Sequence, residues 1–107
     1  MPSLTLTEED SGREVVVQLG DAVYVSLEEN PTTGYGWVLA SMTPGVLELE
    51  EWSFAPTPGV AIGGGGARRI SLHARAPGRA ELELQLRRPW ESDEPPVARF
   101  TLTVHVR

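Results

Sequence analysis

Apolar residues recur at every second position along most of this chain, and turn-forming residues separate the runs. Val15, Val17 and Leu19 share one face between Glu14 and Leu19, and Val23, Val25 and Leu27 share one face between Asp21 and Leu27. Tyr35 to Ala40 places Trp37 and Leu39 together, and Val46 to Phe54 follows a Pro44-Gly45 turn signal. The second half is more regular. Ile70, Leu72 and Ala74 alternate with Arg69, Ser71, His73 and Arg75; Leu82, Leu84 and Leu86 alternate with Glu81, Glu83, Gln85 and Arg87; Phe100, Leu102, Val104 and Val106 close the chain. No stretch carries a convincing helical period. A strand with one apolar face needs a core on one side only, so seven or eight such strands predict an all-β, two-layer antiparallel sandwich, with residues 1–107 forming one domain. Opposite charges on neighbouring outward faces, such as Arg69, Arg75, Glu81 and Glu83, give only about 0.2–1 kcal/mol per pair and serve register.

Three connections are longer than this architecture requires: NPTTG at residues 30–34, TPGVAIGGGG at 57–66, and RPWESDEPP at 88–96. Sandwich connections that skip alternate turns emerge at one end, so the strand count predicts that all three come out together. Pro31 fixes its own φ and pushes Asn30 out of the helical region, while Gly34 supplies a positive φ where a turn needs one. That loop is stiff before any partner arrives, and stiffness lowers the entropy cost of binding. For an Asn-Pro turn standing alone, a plain ordered turn in which Asn30 bonds its own backbone is the better reading. Thr32 and Thr33 shift the balance, because two small hydroxyl side chains at an apex fit a narrow cleft. Gly63, Gly64, Gly65 and Gly66 do not form a phosphate cradle, since Ala67 to Ala76 reads as a strand and not as the helix such a loop needs. They are either a flexible hairpin tip or a bare backbone that approaches another surface closely. Trp90, after Arg88 and Pro89, stands in a polar loop and not in an alternating strand. A binding anchor and a lid folded over the sandwich end weigh about equally there.

Composition narrows the chemistry. The net charge is -6 and all nine basic residues are arginines, which argues against a nucleic-acid partner. Acids dominate the first half, where Arg13 is the one basic residue, and the other arginines begin at Arg68. With no cysteine there is neither a disulfide nor a thiolate nucleophile or ligand. His73 and His105 fall on outward strand faces and lack convergent partners, so no metal and no cofactor is expected. No serine, histidine and aspartate set has supporting context, and the carboxylate pairs lie among polar residues, so an enzyme is not expected. The segment MPSLTLTEED lacks a signal-peptide pattern and no run approaches membrane-spanning length. The chain therefore reads as soluble with no membrane partner, cytoplasmic or exported with its signal absent from the sequence.

Taken together, the three loops resemble those of the chagasin-type inhibitors of papain-like cysteine peptidases: an NPTTG followed by an aromatic (Asn30, Pro31, Thr32, Thr33, Gly34, Tyr35), a G-x-G-G (Gly63 to Gly66) and an R-P-W (Arg88, Pro89, Trp90), in that order. The resemblance extends over essentially the whole chain. It implies an immunoglobulin-like antiparallel β-sandwich, acting as a monomer, that blocks the peptidase cleft with three loops and undergoes no chemistry. By the same resemblance, Thr32 and Thr33 approach the catalytic cysteine and histidine, Gly64 to Gly66 pack by backbone contact, and Arg88 with Trp90 anchors the opposite wall. Arg68, Arg69, Arg87 and Arg88 flank that edge, and a steering role toward an acidic cleft rim is expected of them. An immunoglobulin-like interaction module that uses the same loops on a non-peptidase partner is the competing expectation.

Overall fold

The structure, a computed structural model, describes residues 3–57, 65–91 and 93–107. Eight strands are present among them: β1 (Ser3–Leu6), β2 (Arg13–Val17), β3 (Ala22–Glu29), β4 (Gly36–Met42), β5 (Leu47–Pro56), β6 (Gly66–Ala74), β7 (Gly78–Arg87) and β8 (Ala98–Val106). They form two four-stranded sheets, β1-β3-β6-β5 and β2-β8-β7-β4. Inward residues of both sheets meet in one core that includes Leu6, Val25, Leu27, Trp37, Ile70, Leu84, Phe100 and Val104.

The all-β sandwich matches the alternation, with one refinement. The other four pairings are antiparallel, but β1 pairs with β3, and β2 with β8, in parallel. Both parallel partners are edge strands from the N-terminal segment, and one-sided burial gives the same period of two in either direction. β1 escaped the sequence reading because four residues hold only two apolar ones, although Leu6 is fully buried.

Two apolar residues assigned to the core lie outside it. Leu19 is exposed, because β2 ends at Val17 and the chain has already entered the turn into β3. Leu39 is exposed because β4 is an edge strand whose register against β7 shifts between Leu39 and Ser41. A similar shift in β5, between Leu49 and Glu51, exposes Leu49 and sets Trp52 opposite buried Ile70.

The connections differ in kind. β5–β6 and β7–β8 are hairpins within a sheet, so their stems are held by ladder hydrogen bonds. The β3–β4 connection leaves one sheet and enters the other, so no ladder joins its stems.

Candidate functional site

The register places the stems of the three long connections at one end of the sandwich, as the strand count predicts. Glu29, at the end of β3, pairs with Gly66 at the start of β6, which in turn pairs with Pro56 at the end of β5. In the other sheet Gly36 pairs with Arg87, and Leu86 with Ala98. The Trp37 indole N–H donates to the Glu28 carbonyl at 2.9 Å and so ties the two sheets together at that end.

Residues 30–35 build their own frame. Asn30 caps a single 3-10 turn over Pro31–Thr33: its Oδ1 accepts from the Thr32 backbone N–H at 3.1 Å and from the Thr32 hydroxyl at 2.6 Å. The Thr33 hydroxyl donates to the Asn30 carbonyl at 2.8 Å and accepts from the Tyr35 N–H at 3.2 Å. Gly34 ends the turn with φ of 81°, the left-handed value its position demanded. The plain Asn-Pro turn and the stiff presented loop are thus the same object. Pro31, Thr32 and Thr33 are all exposed.

Residues 88–90 close onto this loop. The Arg88 guanidinium stacks 4.3 Å from the Tyr35 ring centroid, donates through Nε to the Thr33 carbonyl at 3.2 Å, and pairs with Glu91 at 3.1 Å. Tyr35, the aromatic that follows NPTTG, is the half-buried platform beneath Arg88. Trp90 remains 70% exposed, yet its indole edge lies against Gly34: a Cβ on that glycine would sit 2.6 Å from Trp90 Cη2. Trp90 is therefore no lid on the core. It extends the surface of the Asn-Pro loop.

The glycine loop is described only at its C-terminal side; Gly63 and Gly64 lie outside the described residues. The Gly65 carbonyl accepts from the Thr57 N–H at 3.2 Å. Gly66 belongs to β6, and its missing side chain has an internal cause. A Cβ there would fall 2.4 Å from the Ala55 carbonyl oxygen and 2.7 Å from Phe54 Cζ.

One feature escaped the sequence reading. Glu29 is the one buried charged residue among those described. Its Oε1 accepts from the Trp37 backbone N–H at 2.8 Å and from Arg68 Nε at 3.3 Å, and its Oε2 accepts from Arg68 Nη2 at 2.6 Å. The Arg68 guanidinium also lies 5.9 Å from the Trp52 ring centroid and 5.6 Å from that of Phe54. A signal was available: Glu29 continues the inward parity of Val23, Val25 and Leu27, and Arg68 that of Ile70, Leu72 and Ala74. This corrects the four-arginine steering set, because Arg68 is spent internally and the Arg88 charge is offset by Glu91.

Against known proteins, the family model described as "Chagasin family peptidase inhibitor I42" matches residues 16–104. Amoebiasin-1 of Entamoeba histolytica is 31% identical over 104 residues, covering 97% of this chain and all of that protein. Chagasin of Trypanosoma cruzi is 28% identical over 102 residues, covering 91% and 92% of the two chains. Among solved structures, the cysteine protease inhibitor EhICP2 from Entamoeba histolytica superposes with a TM-score of 0.86 at 25% identity, covering 98% of this chain and 95% of that one.

Proposed function

This chain belongs to the chagasin family of peptidase inhibitors, and from that premise we propose that it is a reversible, competitive inhibitor of papain-like cysteine peptidases, and not an enzyme. In this reading the loop of residues 30–35 enters the active-site cleft, with Thr32 and Thr33 toward the catalytic cysteine and histidine. Gly63 to Gly66 lie along one wall, and Pro89 and Trp90 along the other. Arg88 and Tyr35 act from behind, holding the first and third loops as one body.

The observation that carries the proposal is the position of Trp90, a large aromatic left 70% exposed while its edge rests on the Asn-Pro loop. Aromatic anchors beside rigid backbone are what tight interfaces use, at about 800 Å² buried per partner. The Thr32 and Thr33 hydroxyls and the Asn30 amide already bond within the loop, so little conformational freedom is left to lose on docking. Occlusion asks for no nucleophile, metal or cofactor from the inhibitor. Among the described residues no helix is long and apolar enough to cross a membrane.

Titration against papain and a cathepsin L-like peptidase, with a competing peptide substrate, tests this. Inhibition should be reversible, weaken in proportion to substrate, and leave the chain uncut. Absence of inhibition at micromolar concentration across several such enzymes overturns it.

A further inference from the structure

The loop proposed to enter the cleft is also the one whose stems no β-ladder holds. β3 and β4 lie in different sheets, so no ladder fixes residues 29 and 37 against each other. Two hydrogen bonds span that gap. The Trp37 indole N–H reaches the Glu28 carbonyl, and the Glu29 carboxylate accepts the Trp37 backbone N–H at 2.8 Å. The same carboxylate is held in a forked contact by Arg68, two residues beyond Gly66 where the glycine loop rejoins its sheet. Arg68 in turn is fixed over Trp52 and Phe54 of β5. A single buried carboxylate thus joins the end of β3, the start of β4 and the start of β6.

We propose that Glu29 is the positioning residue of the inhibitory edge: its carboxylate sets the spacing of the stems of the Asn-Pro loop and, through Arg68, ties the β4 stem to the glycine-loop hairpin that the β3 stem already meets in the β3–β6 ladder. The proposal rests on the inhibitor reading above. Glu29 lies beneath the apex and need not touch the peptidase. Its effect is on the fraction of free molecules whose loops already stand in the docking arrangement, and apparent affinity scales with that fraction. If the bound state restores the arrangement, the loss falls on the association rate. A residue that contacts the peptidase directly loses affinity through dissociation instead.

The test compares Glu29→Ala and Glu29→Gln with Val104→Ala, a core truncation that lowers stability without touching the edge. Association and dissociation with papain are measured well below each melting temperature, and hydrogen exchange is followed at the Trp37 and Gly34 amides. For Glu29→Ala, kon should fall about tenfold with koff within about twofold, and the Trp37 amide should exchange faster. Glu29→Gln keeps an acceptor for that amide but loses the charge pair with Arg68, and should lie between it and the wild type. It also carries the test if Glu29→Ala does not fold. Val104→Ala should lower the melting temperature and leave kon intact. Unchanged kon in the Glu29 variants, or a fall no larger than that of Val104→Ala, overturns the proposal. If the wild type inhibits no papain-like peptidase, the inhibitor reading fails separately. Exchange then decides alone: faster exchange at Trp37 and Gly34 in the Glu29 variants upholds the brace, and unchanged exchange refutes it.

Discussion

Gly34→Ala introduces one methyl group where two physical effects meet, and the structure allows them to be separated. The first is conformational: φ of 81° with ψ of -9° is not a natural setting for an L side chain and costs about 1–2 kcal/mol. The second is steric. The new Cβ would fall 2.6 Å from Trp90 Cη2, 3.2 Å from Cζ2 and 3.6 Å from Arg88 Nε, so the indole must leave its seat. The conformational term belongs to the folded state, bound or free, and shows as a melting temperature lower by about 4–8 °C per kcal/mol. The steric term leaves stability almost untouched, since Trp90 is mostly exposed, but it removes the anchor from the edge. If Trp90 is a hot spot of at least about 2 kcal/mol, displacing it weakens inhibition about thirtyfold. Trp90→Ala removes the obstacle, so adding Gly34→Ala in that background should weaken inhibition less than about fivefold while lowering the melting temperature by the same amount as before. Papain inhibition constants and thermal melts of the four proteins complete the cycle. Additive losses of inhibition would refute the claim that Trp90 works from its seat on Gly34.

Three further outcomes are expected. Trp90→Ala alone should raise koff from papain about thirtyfold with an unchanged melting temperature, by the hot-spot magnitude used above; a large loss of stability would return Trp90 to the role of a lid. Asn30→Ala removes the acceptor of both Thr32 contacts and should cost about 1 kcal/mol in a thermal melt, with inhibition weakened further because the apex loses its frame. Acid should destabilise the protein partly through Glu14, whose carboxyl the hydrogen bond from His105, with its charge, holds below the usual carboxylate range. A depressed folded-state pKa contributes stability above the ordinary carboxylate value of about 4.3, and that contribution is lost as pH falls through the lower folded value. Glu14→Gln should therefore flatten the acid side of a plot of melting temperature against pH and leave inhibition at neutral pH unchanged.

Most of the fold and the outline of the candidate site were legible in the chain itself. Period-two alternation names the strands and their inner faces, because burial of one side imposes that period whatever the topology. Pro31, Gly34 and the Arg88-Pro89-Trp90 run name two of the loops, because backbone restriction and aromatic surface are properties of single residues. The tertiary structure alone decided what depends on neighbours distant in sequence. Parallel pairing of β1 and β2 leaves no trace in alternation, and the register shifts that expose Leu39 and Leu49 arise from where each strand meets its partner. Seating Trp90 on Gly34 and stacking Arg88 on Tyr35 need two loops more than fifty residues apart to share one end. The use of Glu29 is the clearest case. In the sequence it is one of fifteen acids. In the fold it stands at the last pair of the β3–β6 ladder, where the chain leaves one sheet for the other and no ladder joins β3 to β4, and only there does a buried carboxylate become the brace for the loop above it.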